Sequence, residues 1–301
     1  MWAFGVAAAL SILTADEGVG VDTSRYRQHF GLGFDDLHHA FEPLEVQGLR
    51  LMSQRFAPKV DSVGVVHVLH GYLDHAAIQA PLIERLTHAG YTVRTLDLPG
   101  HGLSGGSRAA IEHMDDYVAA LEAWLKGQQR PLRMVAHSMG CAVLMEAMRR
   151  RVIDSKARVV LLAPLVRWRA WRLSAVGEAL IGWAVRSVPR SKRRTSGDEA
   201  FQALRQNDPL RPERIPIAWV RALRRWAKTF EVTSALPHRP MILQGRRDRV
   251  VDWRHNHRII QKAFPSASFH FFAQGRHHLQ GEEPTLRSRV FAMIEEQLGG
   301  D

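Results

Sequence analysis

The stretch LRMVAHSMGCAVLMEAMRRR, Leu132–Arg151, decides the fold. Leu132–Ala136 is a short apolar run of strand length, and Met139–Arg151 reads as a helix. Between them Ala136-His137-Ser138-Met139-Gly140 leaves room for one sharp turn. A serine hydroxyl is a weak nucleophile until it is held out on such a turn and paired with a base. A strand–turn–helix elbow of the G-x-S-x-G type does the holding. It also aims the next N–H, here that of Met139, at the oxygen that becomes negative during acyl transfer. Gly140 keeps the approach tight, and Ala136 stands one methyl larger where the motif has its first glycine.

On either side of this elbow, short β-type runs alternate with helix-length amphipathic ones. Val63–Leu69, Tyr91–Leu98 and Val159–Ala163 are predicted strands, and Ala76–His88 and Ile111–Lys126 predicted helices. After a long interruption the alternation resumes, with strands at Met241–Leu243 and Ser268–Phe272 and helices at Trp253–Phe264 and Thr285–Leu298. Strands separated by helices imply βαβ crossovers, so the expected class is α/β, a mainly parallel sheet with helices on both faces. The interruption, Arg167–Pro237, shows no strand run. It is expected to be a helical cap above the sheet's carboxyl edge, where open α/β sheets bind ligands. The expected organisation is an N-terminal extension over residues 1–40, a core of residues 41–166 and 238–301, and a cap insertion of residues 167–237.

With Ser138 as nucleophile, an acid and a histidine should follow in chain order, each at the end of a later strand. Asp248 lies in the loop after Met241–Leu243, and His277 in the loop after Ser268–Phe272. A neutral histidine there takes the Ser138 proton while the carboxylate fixes its tautomer and stabilises the imidazolium. Asp252 stands where a helix N-cap belongs and is read as structural. His277 is preferred over its neighbour His278. His70-Gly71-Tyr72 follows the strand Val63–Leu69, where such a fold supplies the second oxyanion donor, so the Tyr72 N–H joins that of Met139.

Seven segments together resemble the monoacylglycerol lipase and lysophospholipase group of α/β-hydrolases, a serine aminopeptidase-type group. They are HGYLDH (His70–His75), DLPGHGLSGG (Asp97–Gly106), AHSMG (Ala136–Gly140), LLAPL (Leu161–Leu165), NDPL (Asn207–Leu210), QGRRDRVVD (Gln244–Asp252) and GRHHLQGE (Gly275–Glu282). The resemblance implies an α/β-hydrolase fold, a triad of Ser138, Asp248 and His277, and an oxyanion hole at Tyr72 and Met139. It further implies hydrolysis of single-acyl lipid esters beneath a helical cap over an acyl pocket. Two positions depart from the group: Ala136 replaces a glycine, and His278 replaces the acidic residue that often follows the catalytic histidine.

Composition narrows the remaining alternatives. The 301 residues are 46% hydrophobic and 24% charged, which suits a large core and excludes a disordered chain. The single cysteine, Cys141, excludes an internal disulfide framework and fits a reducing compartment. The 16 histidines contain no metal-type spacing such as H-E-x-x-H, and neither metal nor cofactor is expected. His255–His257 is read as a solvent-facing helix flank.

Net charge is +11, and residues Arg167 to Phe230 hold 15 basic against 5 acidic side chains. Five of the eight tryptophans lie there too: Trp168, Trp171, Trp183, Trp219 and Trp226. Such a basic, Trp-rich cap either packs on the sheet or touches an anionic membrane. No nucleic-acid fold accompanies it. The apolar run at residues 1–15 is too short to span a bilayer and lacks a basic leader, so the expected location is cytoplasmic with peripheral membrane contact. The alternatives are a peptidase of the proline-iminopeptidase type, whose elbow usually carries Gly-Ser-Trp, and a basic membrane-surface protein with weak or no catalysis. An epoxide hydrolase or dehalogenase would need Asp at position 138.

Overall fold

Gln47 and Gly48 both take positive φ, 52° and 76°, the signature of a two-residue type I′ turn. This turn folds β1 (Leu37–Val46) back on β2 (Leu49–Pro58) in a ten-residue antiparallel register. The computed structural model describes residues 22–33, 37–171, 174 and 185–299. A helix, α1 (Thr23–Phe30), precedes the hairpin, capped by the Asp22 carboxylate at one end and by Gly31 at the other. The boundary expected at residue 40 therefore falls inside a strand. Tyr26 and Phe30 are buried, and the Tyr26 hydroxyl accepts from Gln54 of β2, so this part of the expected extension belongs to the core. Pro43 and a half-buried pattern hide β1 from strand periodicity. The apolar run at residues 1–15 and Trp183 lie outside the described residues.

From β3 (Gly64–Leu69) the chain alternates: α2 (Ala80–His88), β4 (Tyr91–Leu96), α3 (Met114–Leu125), β5 (Arg133–His137), α4 (Met139–Arg149) and β6 (Arg158–Leu162). The cap carries β7 (Ser187–Pro189), α5 (Glu199–Gln206), β8 (Arg214–Pro216) and α6 (Ile217–Phe230). It is thus not wholly helical, because β7 and β8 pair as a short antiparallel ribbon. The core resumes with β9 (Met241–Gly245), α7 (Trp253–Ala263), β10 (Ser268–Phe272) and α8 (Pro284–Gly299).

The eight strands form one sheet in the order β1-β2-β4-β3-β5-β6-β9-β10. Only β2 runs against the others, so the sheet is mainly parallel. Alternate side chains of each strand enter opposite cores. Met134, Leu161 and Ile242 join the core of α3, α4 and α6, whereas Val135, Val160 and Leu243 join that of α1, α2 and α8. No helix among the described residues is long and apolar enough to cross a membrane.

Candidate active site

Parallel strands deliver the site by aligning their carboxyl ends. Leaving β5, the chain turns at Ser138 with φ 50° and ψ −108°, a conformation that costs a non-glycine residue about 1–3 kcal/mol. Packing around it enforces the turn. A side chain at Gly140 would put its Cβ 2.6 Å from the His70 carbonyl oxygen, and one at Gly71 would put it 2.6 Å from His137 Nδ1. The methyl of Ala136 is accommodated in the buried strand.

The loop after β9 carries Asp248 and the loop after β10 carries His277, and the two meet Ser138. His277 Nδ1 donates to Asp248 Oδ2 at 2.8 Å, and the Ser138 hydroxyl lies 3.0 Å from His277 Nε2. This fixes the tautomer, with the Nδ1 proton held by the carboxylate and Nε2 left to accept from serine. Asp248 also accepts the Val250 and Val251 N–H groups and the Gln244 amide. Burial pushes its pKa up, but the charge and hydrogen bond of His277 and these donors outweigh burial and hold it below the usual carboxylate value. Asp252, by contrast, caps α7 by accepting the His255 N–H.

Met139 opens α4, so its N–H is one of the four that a helix leaves without an internal partner. The Tyr72 N–H likewise meets no backbone acceptor among the described residues. Neighbouring groups hold the Tyr72 loop: its ring stacks on Trp219 of the cap at 3.5 Å between centroids, and its hydroxyl donates to the Ala109 carbonyl. His70 accepts the Leu98 N–H at Nε2 and donates from Nδ1 to the Gly71 carbonyl.

Behind the histidine loop lies a buried charged cluster whose members are far apart in the sequence. Arg205 of α5 donates two hydrogen bonds to Asp74 Oδ1, at 2.5 and 3.1 Å, and His278 Nε2 donates to Asp74 Oδ2 at 2.9 Å. His278 therefore faces away from Ser138, toward Asp74. Burial raises the Asp74 pKa, but Arg205, His278 and Arg211 bring it well below the usual range. His278 goes the other way: burial and the Arg205 charge hold it neutral despite Asp74. The Thr195 carbonyl of the cap accepts the N–H groups of both His277 and His278, and His137 Nε2 donates to the His277 carbonyl.

Asp74, His137 and His278 offer ligand atoms within 4.8 Å of one another. Both Asp74 oxygens are already engaged, however, and two guanidinium groups supply the positive charge a cation would bring. The signal in the sequence was HGYLDH, whose Asp74 meets its partners only when Arg205 and His278, far along the chain, fold against it.

Of the two alternatives for the cap, the aromatic face of α6 takes the packed one, and the expectation of a solvent-facing flank at His255–His257 changes. The face Trp219, Leu223, Trp226 and Phe230 of α6 is buried, and the Trp226 indole donates to Glu146, so these rings pack inward. Asn256 and His257 are buried as well. The Asn256 amide donates to the Pro164 and Arg167 carbonyls, tying α7 to the start of the cap.

A family model described as "Serine aminopeptidase, S33" matches residues 61–284. The chain is 26% identical over 203 residues to "Phospholipase YtpA" of Bacillus subtilis, covering 63% of this chain and 78% of that protein. It is 31% identical over 104 residues to "Monoacylglycerol lipase" of Mycolicibacterium smegmatis, covering 33% and 37%. A crystal structure of a soluble variant of monoglyceride lipase from Saccharomyces cerevisiae superposes with a TM-score of 0.74 at 16% identity, covering 87% of this chain and 96% of that one. That likeness bears on the fold.

Proposed function

Because the chain belongs to the serine aminopeptidase S33 family of α/β-hydrolases, we propose that it is a serine carboxylic-ester hydrolase that cleaves a monoacyl lipid, a monoacylglycerol or a lysophospholipid, through an acyl-enzyme. The observation that carries this reading is the hydrogen-bonded run from Asp248 through His277 to Ser138. Ser138 Oγ attacks the ester carbonyl as its proton passes to His277 Nε2. Asp248 stabilises the resulting imidazolium, and the N–H groups of Met139 and Tyr72 hold the oxyanion. His277 then returns the proton to the departing alcohol, and a water molecule, activated by the same base, releases the fatty acid.

The names of the relatives support lipid ester as substrate class. In this reading residues 167–237 act as the cap, and the enzyme works in the cytoplasm against a membrane surface.

The test is labelling by a fluorophosphonate, followed by a panel of monoacylglycerols, lysophospholipids, short esters and aminoacyl amides. Ser138→Ala should abolish labelling and lower turnover by on the order of 10⁴-fold or more. Substantial turnover by the purified variant would refute the nucleophile, and preference for amides would favour the peptidase alternative.

A further inference from the structure

Counted along the sequence, the excess positive charge belongs to the cap, but folding turns much of it inward. Arg205 and Arg211 gather at Asp74, Arg167 pairs with Glu231, and Arg224 stacks on Trp168 and Trp171. A different set of arginines stays outward. Arg246, Arg247 and Arg249 flank Asp248 in the loop after β9, Arg254 lies on the first turn of α7, Arg276 precedes His277, and Arg169 opens the cap. All six line one cleft of about 530 Å³, whose lining includes Asp248 but neither Ser138 nor His277.

Among the described residues none of these six guanidinium groups reaches a carboxylate within salt-bridge distance. The cleft's two carboxylates are engaged elsewhere, Asp248 with His277 and Asp252 with the His255 N–H. Like charges gathered on a concave surface raise the local potential and favour an anion.

Trp253 lines the cleft, and Phe271 packs beside it. Arg246 lies 5.4 Å above the Phe271 ring and Arg254 4.2 Å above Trp253. These two rings are 5.8 Å apart, and Phe271 is 41% exposed. Arginine held over half-exposed aromatic rings matches a lipid–water interface, where aromatic rings settle at headgroup depth and basic side chains meet phosphate.

We propose that this cleft docks the enzyme on anionic phospholipid at a bilayer surface, with arginines 169, 246, 247, 249, 254 and 276 receiving the phosphodiester groups. Its place at the carboxyl edge of the sheet would bring the Ser138 face toward the membrane. The proposal deepens the lipid-hydrolase reading, on which its purpose rests.

Sedimentation with phosphatidylcholine vesicles, alone or mixed with phosphatidylglycerol, tests it. All variants are made in the Ser138→Ala background, so that docking is read without hydrolysis and stands or falls apart from the catalytic proposal. The parent should bind only the anionic vesicles, and less as salt rises. The triple change Arg246→Gln, Arg247→Gln, Arg254→Gln should weaken that binding on the order of 100-fold. The equal charge loss in the cap loop, Arg190→Gln, Lys192→Gln, Arg193→Gln, should weaken it only severalfold. Arg247→Glu alone, at an exposed site, should also weaken binding if the triple variant fails to fold. Parent-like binding by the folded rim variants, or an equal loss in the cap variant, would overturn the proposal. So would full displacement by inorganic phosphate at the concentration of lipid phosphate, which would make the cleft a site for the free ion.

Discussion

At the residue scale, the site depends on which protonated nitrogen faces which oxygen. Asp248 accepts from His277 with one oxygen while the other is held by two backbone N–H groups, so the carboxylate cannot rotate away. Asp248→Asn preserves size and can keep the backbone contacts through its carbonyl. Its amide nitrogen then faces His277 Nδ1, favouring the tautomer with its proton on Nε2, the wrong atom for a base. The expected outcome is a loss in kcat on the order of 10⁴-fold with the melting temperature little changed. Turnover of a soluble ester within tenfold of wild type would count against the assigned role of Asp248. Gly71 and Gly140 belong to the same scale, since each leaves the space into which His137 or the His70 carbonyl fits.

At the scale of elements, the segment from Thr195 to Arg205 is fastened to the loops of Asp74 and His277 by polar contacts. Arg205 of α5 reaches Asp74 beside Tyr72, the Thr195 carbonyl holds the backbone of His277 and His278, and Glu282 accepts the N–H groups of Gly197 and Arg276. A buried ion pair contributes little net stability when intact but is costly to break on one side. Arg205→Met should therefore lower stability by about 3–5 kcal/mol in denaturant melts, because Asp74 is left buried and charged. Adding Asp74→Asn should recover most of that loss. An additive double variant would show that the two side chains do not act as a pair.

Across the whole molecule, buried histidines set the response to acid. Burial, foremost, holds His39, His67 and His257 at about 4 and His137 at about 3. His70, His101 and His278 are lowered as well. Between the unfolded value of about 6.5 and these folded values, the unfolded chain takes up protons that the native one refuses. Stability must therefore fall as pH drops through that window. His75 has the opposite sign: burial lowers it, but Asp208 and other carboxylates raise it overall, so its contribution is present below the ordinary value and is lost as pH rises through its folded value. One such group does not offset seven. The lowered Asp74 and Asp248 add a further loss below the carboxylate range. Thermal melts should show the midpoint falling from about pH 6.5 toward pH 4. A flat or rising midpoint over that range would contradict the burial of these rings.

Local signals made the sheet and its elbow readable in the chain itself. The strands of residues 64–69, 133–137, 158–162 and 241–245 are apolar because both faces are covered, and Ser138 and Asp248 each follow such a strand at a loop, while His277 follows the edge strand of residues 268–272. The hairpin of β1 and β2 escaped because one half-buried edge strand carries proline and weak alternation. The Asp74 cluster escaped because its members lie up to 204 positions apart in sequence. Charge was the most misleading quantity when read in one dimension. Counting placed it in the cap, whereas folding gave many cap arginines internal partners and left the six cleft arginines without a carboxylate partner among the described residues. Periodicity and turn chemistry act over a few residues and so are written in the sequence. Pairing of buried charges and the choice of which arginines face water depend on contacts between distant segments, and only the folded chain brings those together.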